Sequence, residues 1–163
     1  MEIRAIVLAA GKGTRMNSAL PKCAHKIIDK AMVEYVVDSL KAININEIIS
    51  VVGYKREILE EILNGKTKFA YQEQQLGTAH AVLSAEKQLK EHNGLTLIAI
   101  GDMPLISSNT YAQLIAHHIE QKADLTALTT NHPVPYGYGR IVRDHNQSIL
   151  RIVEEKDCTP EER

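Results

Sequence analysis

The chain has 163 residues, 44% of them apolar, with one Phe, no Trp and a formal net charge of -1. That suits one domain with an aliphatic core, and the near-neutral charge excludes wholesale electrostatic binding to nucleic acid or to an acidic membrane. No apolar stretch reaches the length of a membrane span, the first residues show no signal-peptide pattern, and the widely spaced Cys23 and Cys158 read as reduced, structural thiols in a cytoplasmic setting.

The first element is a buried strand, Ile6-Val7-Leu8, which runs into Ala9-Ala10-Gly11-Lys12-Gly13-Thr14-Arg15-Met16 and then Pro21-Lys22. Small residues let the backbone approach a ligand, and Lys12, Arg15 and Lys22 bring positive charge to the same place, a combination suited to a polyphosphate. Within residues 1–30, six Lys and Arg face only Glu2 and Asp29, which points to a small anionic ligand. Neither the dinucleotide fingerprint nor Walker A fits: Met16 stands where the former wants a small residue, and Gly11-Lys12-Gly13-Thr14 lacks the spacing of the latter. The plain alternative is a glycine turn with solvated lysines.

Residues 31–43 predict a helix with Met32, Val36, Leu40 and Ile43 on one face. A strand follows at 48–52, a helix at 56–63, a short strand at 68–71 and a helix at 78–92, stopped by Asn93-Gly94. Residues 95–100 are the next strand, ending at Gly101-Asp102. Ser107 or Ser108 can cap the next helix, whose buried face is Tyr111, Leu114, Ile115, His118 and Ile119. Residues 124–129 read as another strand, and 140–143 with 149–153 as a hairpin. This alternation predicts an α/β fold: a doubly wound, mostly parallel sheet with a C-terminal β-hairpin.

In such sheets ligands sit beyond the carboxyl ends of the strands. Three features fall there. One is the glycine-rich loop. Another is Gly101-Asp102, where a carboxylate directly after an apolar strand suits Mg²⁺, although an N-cap or Asx turn fits an isolated Asp equally well. The third runs from Gln72 to His80: Gln amides offer donors and acceptors for a base edge, and Gly77 and Thr78 open a helix. An ordinary polar loop is the simpler account of that piece. No metal cluster emerges from the scattered His, and no Cys-His-Asn pattern or Gly-x-Ser-x-Gly elbow accompanies Cys23.

The segment Leu8-Ala9-Ala10-Gly11-Lys12-Gly13-Thr14-Arg15-Met16 with Pro21-Lys22 resembles the signature of the sugar-phosphate nucleotidyltransferases, which have a Rossmann-like fold. Three further motifs narrow the resemblance: Gln75-Leu76-Gly77-Thr78-Ala79-His80-Ala81, Tyr136-Gly137-Tyr138-Gly139-Arg140-Ile141, and Ile152-Val153-Glu154-Glu155-Lys156-Asp157. In this order they are similar to the uridyltransferase domain of the bacterial N-acetylglucosamine-1-phosphate uridyltransferases. The resemblance spans nearly the whole chain.

It implies a cell-wall precursor reaction, UTP with N-acetylglucosamine 1-phosphate giving UDP-N-acetylglucosamine and pyrophosphate. It implies that Leu8, Ala9, Ala10, Gly11 and Gly13 hold the nucleotide and that Arg15 and Lys22 contact phosphates as the catalytic pair. Gln72, Gly77 and Thr78 would surround the uracil. Asp102 would bind Mg²⁺, Gly101 before it would be a substrate-binding residue, and Gly139 and Glu154 would hold the sugar. Cys23-Ala24 and Ile100 depart from the family's usual residues. The family's domain also continues past Arg163 to further sugar- and metal-binding asparagines, and then to an acetyltransferase β-helix that forms the homotrimer. Residues 1–163 are therefore expected to be an incomplete nucleotidyltransferase domain. Two other readings stay open: a nucleotide-binding module without catalysis, and a transferase using CTP or GTP, whose families share the first loop alone.

Overall fold

The computed structural model describes residues 1–162. It contains two compact units, Met1–Thr126 and a second beginning at Ala127. The first unit starts with β1 (Ile3–Leu8). Two 3-10 turns, Thr14–Met16 and Lys22–Ala24, and a small antiparallel ribbon, β2 (Lys26–Ile27) with β3 (Lys30–Ala31), lead into α1 (Met32–Lys41). Then come β4 (Ile48–Val52), α2 (Arg56–Ile62), β5 (Lys68–Tyr71), α3 (Thr78–Leu83), α4 (Glu86–Leu89), β6 (Leu95–Ile100) and α5 (Ser108–Gln121).

The main sheet is parallel throughout, in the order β5-β4-β1-β6. The chain steps outward from β1 to β5, then crosses back to β6 on the other side of β1. That reversal opens a crevice beyond the carboxyl ends of β1 and β6.

β1 is buried on both faces, and its period of two assigns each residue to one layer. Ala5, Val7 and Ala9 join Val33, Val36, Val37 and Leu40 of α1, Leu59 of α2 and Tyr111 of α5 in one core. Ile6, Leu8 and Ala10 join Ile49, Val51, Ala70 and Ala81 in the other, on the side of α3 and α4. The helices have identifiable starts. The Glu34 carboxylate accepts the Ala31 N–H at 2.8 Å, and Ser107 Oγ, the cap of α5, accepts the Thr110 N–H at 3.2 Å.

Several expectations need correction, and one is that Ile119, expected on the buried face of α5, is 49% exposed. The helix over 78–92 is two helices, broken at Ser84-Ala85, where the Ser84 hydroxyl donates to the His80 carbonyl at 2.9 Å and Ala85 leaves the helical region with φ -93°. Residues 124–129 form no strand. Leu125 and Leu128 are exposed, and Thr126 is tied back to α5 by a 2.9 Å contact with His118 Nδ1. Strand-forming residues do not make a strand without an edge to pair with, and no described strand pairs with them. The β2–β3 ribbon was not foreseen, because its turn puts Ile28 at φ 61°, a conformation β-branched residues rarely adopt.

The second unit holds the expected hairpin, β7 (Arg140–Arg143) against β8 (Ile149–Val153). Asp144 Oδ1 closes its turn by accepting the N–H groups of Asn146 and Ser148 at 2.8 and 2.9 Å. A 3-10 turn, Glu155–Asp157, follows.

Candidate functional site

The end of β1 is clamped by its neighbours. The Ala9 N–H donates to the Val51 carbonyl at 2.9 Å, the Tyr54 N–H to the Ala10 carbonyl at 3.2 Å and the Gly101 N–H to the Leu8 carbonyl at 2.9 Å. Beyond these bonds the loop opens. A Cβ built on Gly11 would meet nothing within 4 Å, so its backbone faces free space. Gly13 is different: its φ is 69°, and a Cβ there would lie 2.6 Å from the Lys22 Cβ. Glycine is needed both for the left-handed backbone and for the Lys22 stem to lie against the loop. Arg15, on the following turn, is exposed and forms no ion pair with any described residue. Lys12 stands over the Tyr54 ring at 5.3 Å, and Lys55 lies 5.7 Å from the same ring.

At the end of β6, Gly101 is equally constrained. A Cβ there would come within 2.9 Å of the Leu8 carbonyl oxygen and 3.2 Å of the Cys23 sulfur. The next residue, Asp102, is half-buried, and its carboxylate forms an ion pair with the Lys22 ammonium. The loop that follows β1 and the residue that follows β6 are thus joined by opposite charges. Burial, with the Asp102 charge adding to it, pushes the Cys23 thiol up to about 12. A neutral, buried thiol is no nucleophile.

After β5, Gln72 is only 4% exposed. Its amide nitrogen donates to the Gly77 carbonyl at 3.0 Å and lies 3.1 Å from His80 Nδ1. Gln72 therefore holds the turn that carries Gly77 and Thr78, while its amide oxygen makes no hydrogen bond to a described residue. Gly77 has φ 101° and ψ -179°, a region essentially reserved for glycine, with open space before it. Thr78 is the first residue of α3 and caps nothing; Gly77 takes that position.

All the candidate residues from Leu8 to Asp102 thus lie at the carboxyl edge of one sheet. Gly139 and Glu154 belong to the second unit. The Arg140–Val153 register sets them side by side, with a Cβ built on Gly139 in ordinary contact with the Ile152 side chain and the Val153 carbonyl, at 3.4 and 3.5 Å. The spacing of the motifs gave no sign of the guanidinium that organises this corner. Arg140 donates to the Pro135 and Tyr138 carbonyls at 2.9 and 2.5 Å and to the Glu155 carboxylate at 2.6 Å. An Arg opening one strand and a Glu just past the end of its partner was the available signal.

No group of three or more His, Cys, Asp or Glu gathers as a metal centre among the described residues. Asp102 offers a carboxylate oxygen, a hard donor, at the end of β6. That fits Mg²⁺, which takes one or two protein carboxylates and completes its shell with water and substrate phosphate. No helix of the described residues is long and apolar enough to cross a membrane.

Comparison with known proteins agrees with this geometry. The chain is similar to the Bifunctional protein GlmU of Lactobacillus delbrueckii subsp. bulgaricus, with 51% identity over 162 residues, covering 99% of this chain and 35% of the relative. Against the GlmU of Staphylococcus haemolyticus the identity is 47% over 159 residues, covering 98% and 35%. Against that of Thermoanaerobacter pseudethanolicus it is 49% over 158 residues, covering 97% and 34%. The chain spans about a third of the length of these curated relatives. A nucleotidyl transferase from Methanothermobacter thermautotroptrophicus shares the fold, with a TM-score of 0.61 at 22% identity over 71% of this chain and 57% of that one. Residues 5–157 match the MobA-like NTP transferase domain. The chain belongs to that family of nucleotidyltransferases.

Proposed function

We propose that residues 1–163 are the nucleotide-handling part of a uridylyltransferase that joins UTP to N-acetylglucosamine 1-phosphate, releasing pyrophosphate. The observation that carries this reading is the Lys22–Asp102 pair, which brings a basic phosphate loop and a lone carboxylate together at the crevice between β1 and β6. The four ordered motifs and the GlmU relatives support the choice of UTP and the acetylated sugar. Two buried free cysteines accord with a reducing, cytoplasmic setting.

In the reaction a sugar-phosphate oxygen attacks the α-phosphorus of UTP, and the bond to the β-phosphate breaks, so that pyrophosphate leaves with the electron pair. The protein's part is positioning and charge. The backbone from Leu8 to Gly13 cradles the phosphates with no bulk in the way. Arg15 and Lys22 neutralise charge that grows on the leaving group. The ion pair of the Lys22 ammonium with Asp102 supports a place for it among these phosphates. The turn held by Gln72 presents Gly77 and Thr78 to the uracil, while Gly101 keeps the end of β6 against β1, and Gly139 and Glu154 receive the sugar. Asp102 would hold Mg²⁺, which supplies Lewis-acid neutralisation of the phosphate oxygens when bound.

The test is Mg²⁺-dependent pyrophosphate release from UTP with N-acetylglucosamine 1-phosphate, with glucose 1-phosphate as control. Release that favours the acetylated sugar is expected. A preference for CTP or GTP over UTP would overturn the assignment.

A further inference from the structure

One pocket in the second unit is lined by Tyr136, Glu154, Glu155 and Lys156. The motif reading gave Glu154 a role and left Tyr136 and Lys156 without one. Tyr136 is 81% exposed, so its ring is not part of a core. The backbone that carries it nevertheless has a fixed place. Arg140 grips the carbonyls on either side of it, those of Pro135 and Tyr138, and ties them to Glu155, which also lines the pocket. Gly137, at φ 81°, makes the bend between the two gripped carbonyls. The neighbouring Tyr138 ring is occupied differently, stacked on His132 with centroids 5.9 Å apart. Tyr136 thus lines the same pocket as a carboxylate that can accept hydrogen bonds from hydroxyls and an ammonium that can donate to oxygen.

We propose that Tyr136 is the platform on which the sugar ring of the sugar 1-phosphate rests, and that Arg140 is the positioning residue that holds it there. The proposal rests on the uridylyltransferase reading and extends it to the choice of sugar. A pyranose has an apolar face of C–H groups and a rim of hydroxyls. Tyr136 offers an apolar face to the first, while Glu154 and Lys156 offer an acceptor and a donor to the second.

The experiment is a titration of the isotope-labelled chain with N-acetylglucosamine 1-phosphate, followed by the amide signals. The chain is taken unchanged and as Tyr136→Ser, Tyr136→Phe and Arg140→Lys. Binding is expected to move the signals of residues 136–139 and 154–156. Tyr136→Ser should bind roughly tenfold more weakly, and Tyr136→Phe should bind like the unchanged chain. Arg140→Lys should shift the Tyr136 and Tyr138 signals before any ligand is added and weaken binding as well. Equal affinity of the unchanged chain and Tyr136→Ser, with the Glu154 signal still moving, overturns the platform and leaves the uridylyltransferase reading intact. Unmoved Tyr136 and Tyr138 signals in Arg140→Lys overturn the positioning role. No movement of any of these signals with sugar phosphate, while UTP moves those of residues 9–13 and 101–102, overturns the platform together with the assignment of the sugar.

Discussion

Gly13 and Lys22 are packed backbone to side-chain stem, so tightly that a methyl group on Gly13 would fall 2.6 Å from the Lys22 Cβ. The phosphate loop and its lysine are therefore one unit, and neither moves alone. Gly13→Ala should suffer twice: a left-handed alanine costs about 1–2 kcal/mol, and the new methyl displaces Lys22. Thermal unfolding should show a fall in Tm of roughly 2–8 °C for a chain of this size, with a smaller upward shift on adding UTP than in the unchanged protein. A variant that melts and binds like the original would refute the packing argument.

Lys22 and Asp102 separate activity from stability. Their pair is partly exposed, so breaking it should cost no more than about 1 kcal/mol in folding. Turnover should respond far more. Lys22→Ala is expected to lower it by roughly 10²–10³, the scale for losing one charge-stabilising donor. Asp102→Asn should leave a flat magnesium titration. Full turnover in the first variant, or an unchanged metal dependence in the second, would remove that residue from the mechanism.

Cys23 gives a pH dependence with a definite sign. Its thiol is raised from the ordinary 9.0 to about 12 in the fold, so between those values the unfolded chain has lost a proton that the folded chain retains. Stability is fully present below about pH 9 and declines as pH rises toward 12. Urea unfolding at about pH 7, 9 and 10.5 should follow that decline, and Cys23→Ala should flatten it. At about pH 8 a thiol reagent should react with the denatured chain and scarcely with the native one. Rapid labelling of native Cys23 would contradict its burial.

Two buried hydroxyls, of Tyr111 in the larger core and of Ser50 on β4, have no partner among the described residues. Tyr111 is 3% exposed and Ser50 fully buried, and neither the Tyr111 Oη nor the Ser50 Oγ makes a hydrogen bond. Removing an unsatisfied polar atom relieves its desolvation cost of about 1 kcal/mol or more. Tyr111→Phe and Ser50→Ala should therefore be neutral or more stable by chemical denaturation. A loss of more than about 1 kcal/mol in either would mean that its hydroxyl has a stabilising role in the fold.

The sheet and most of its helices were legible because they follow from local pattern. The apolar runs at 48–52 and 95–100 and the Ser107 cap are properties of neighbouring residues. The helix break needed a hydroxyl reaching back to the His80 carbonyl, and a periodic pattern does not show that. The absence of a strand over 124–129 depends on which edges exist to pair with it. At the candidate site, loops that end strands could be placed together from topology alone. The double duty of Gln72, the Lys22–Asp102 pair and the grip of Arg140 could not, because each joins residues separated by anything from a few positions to eighty through side-chain geometry.

β1 acts as a ruler. Each residue from Ala5 in β1 to Ala10, just past its end, is committed to one of two cores in strict alternation, and Gly11 comes one residue after the last commitment. Insert or delete a single residue within it and every side chain is offered to the wrong layer. The distance at which the phosphate loop stands from the crevice is therefore metered by apolar packing some way beneath it. Drift in that loop's placement would be penalised first as misfolding, before any substrate arrived to detect it.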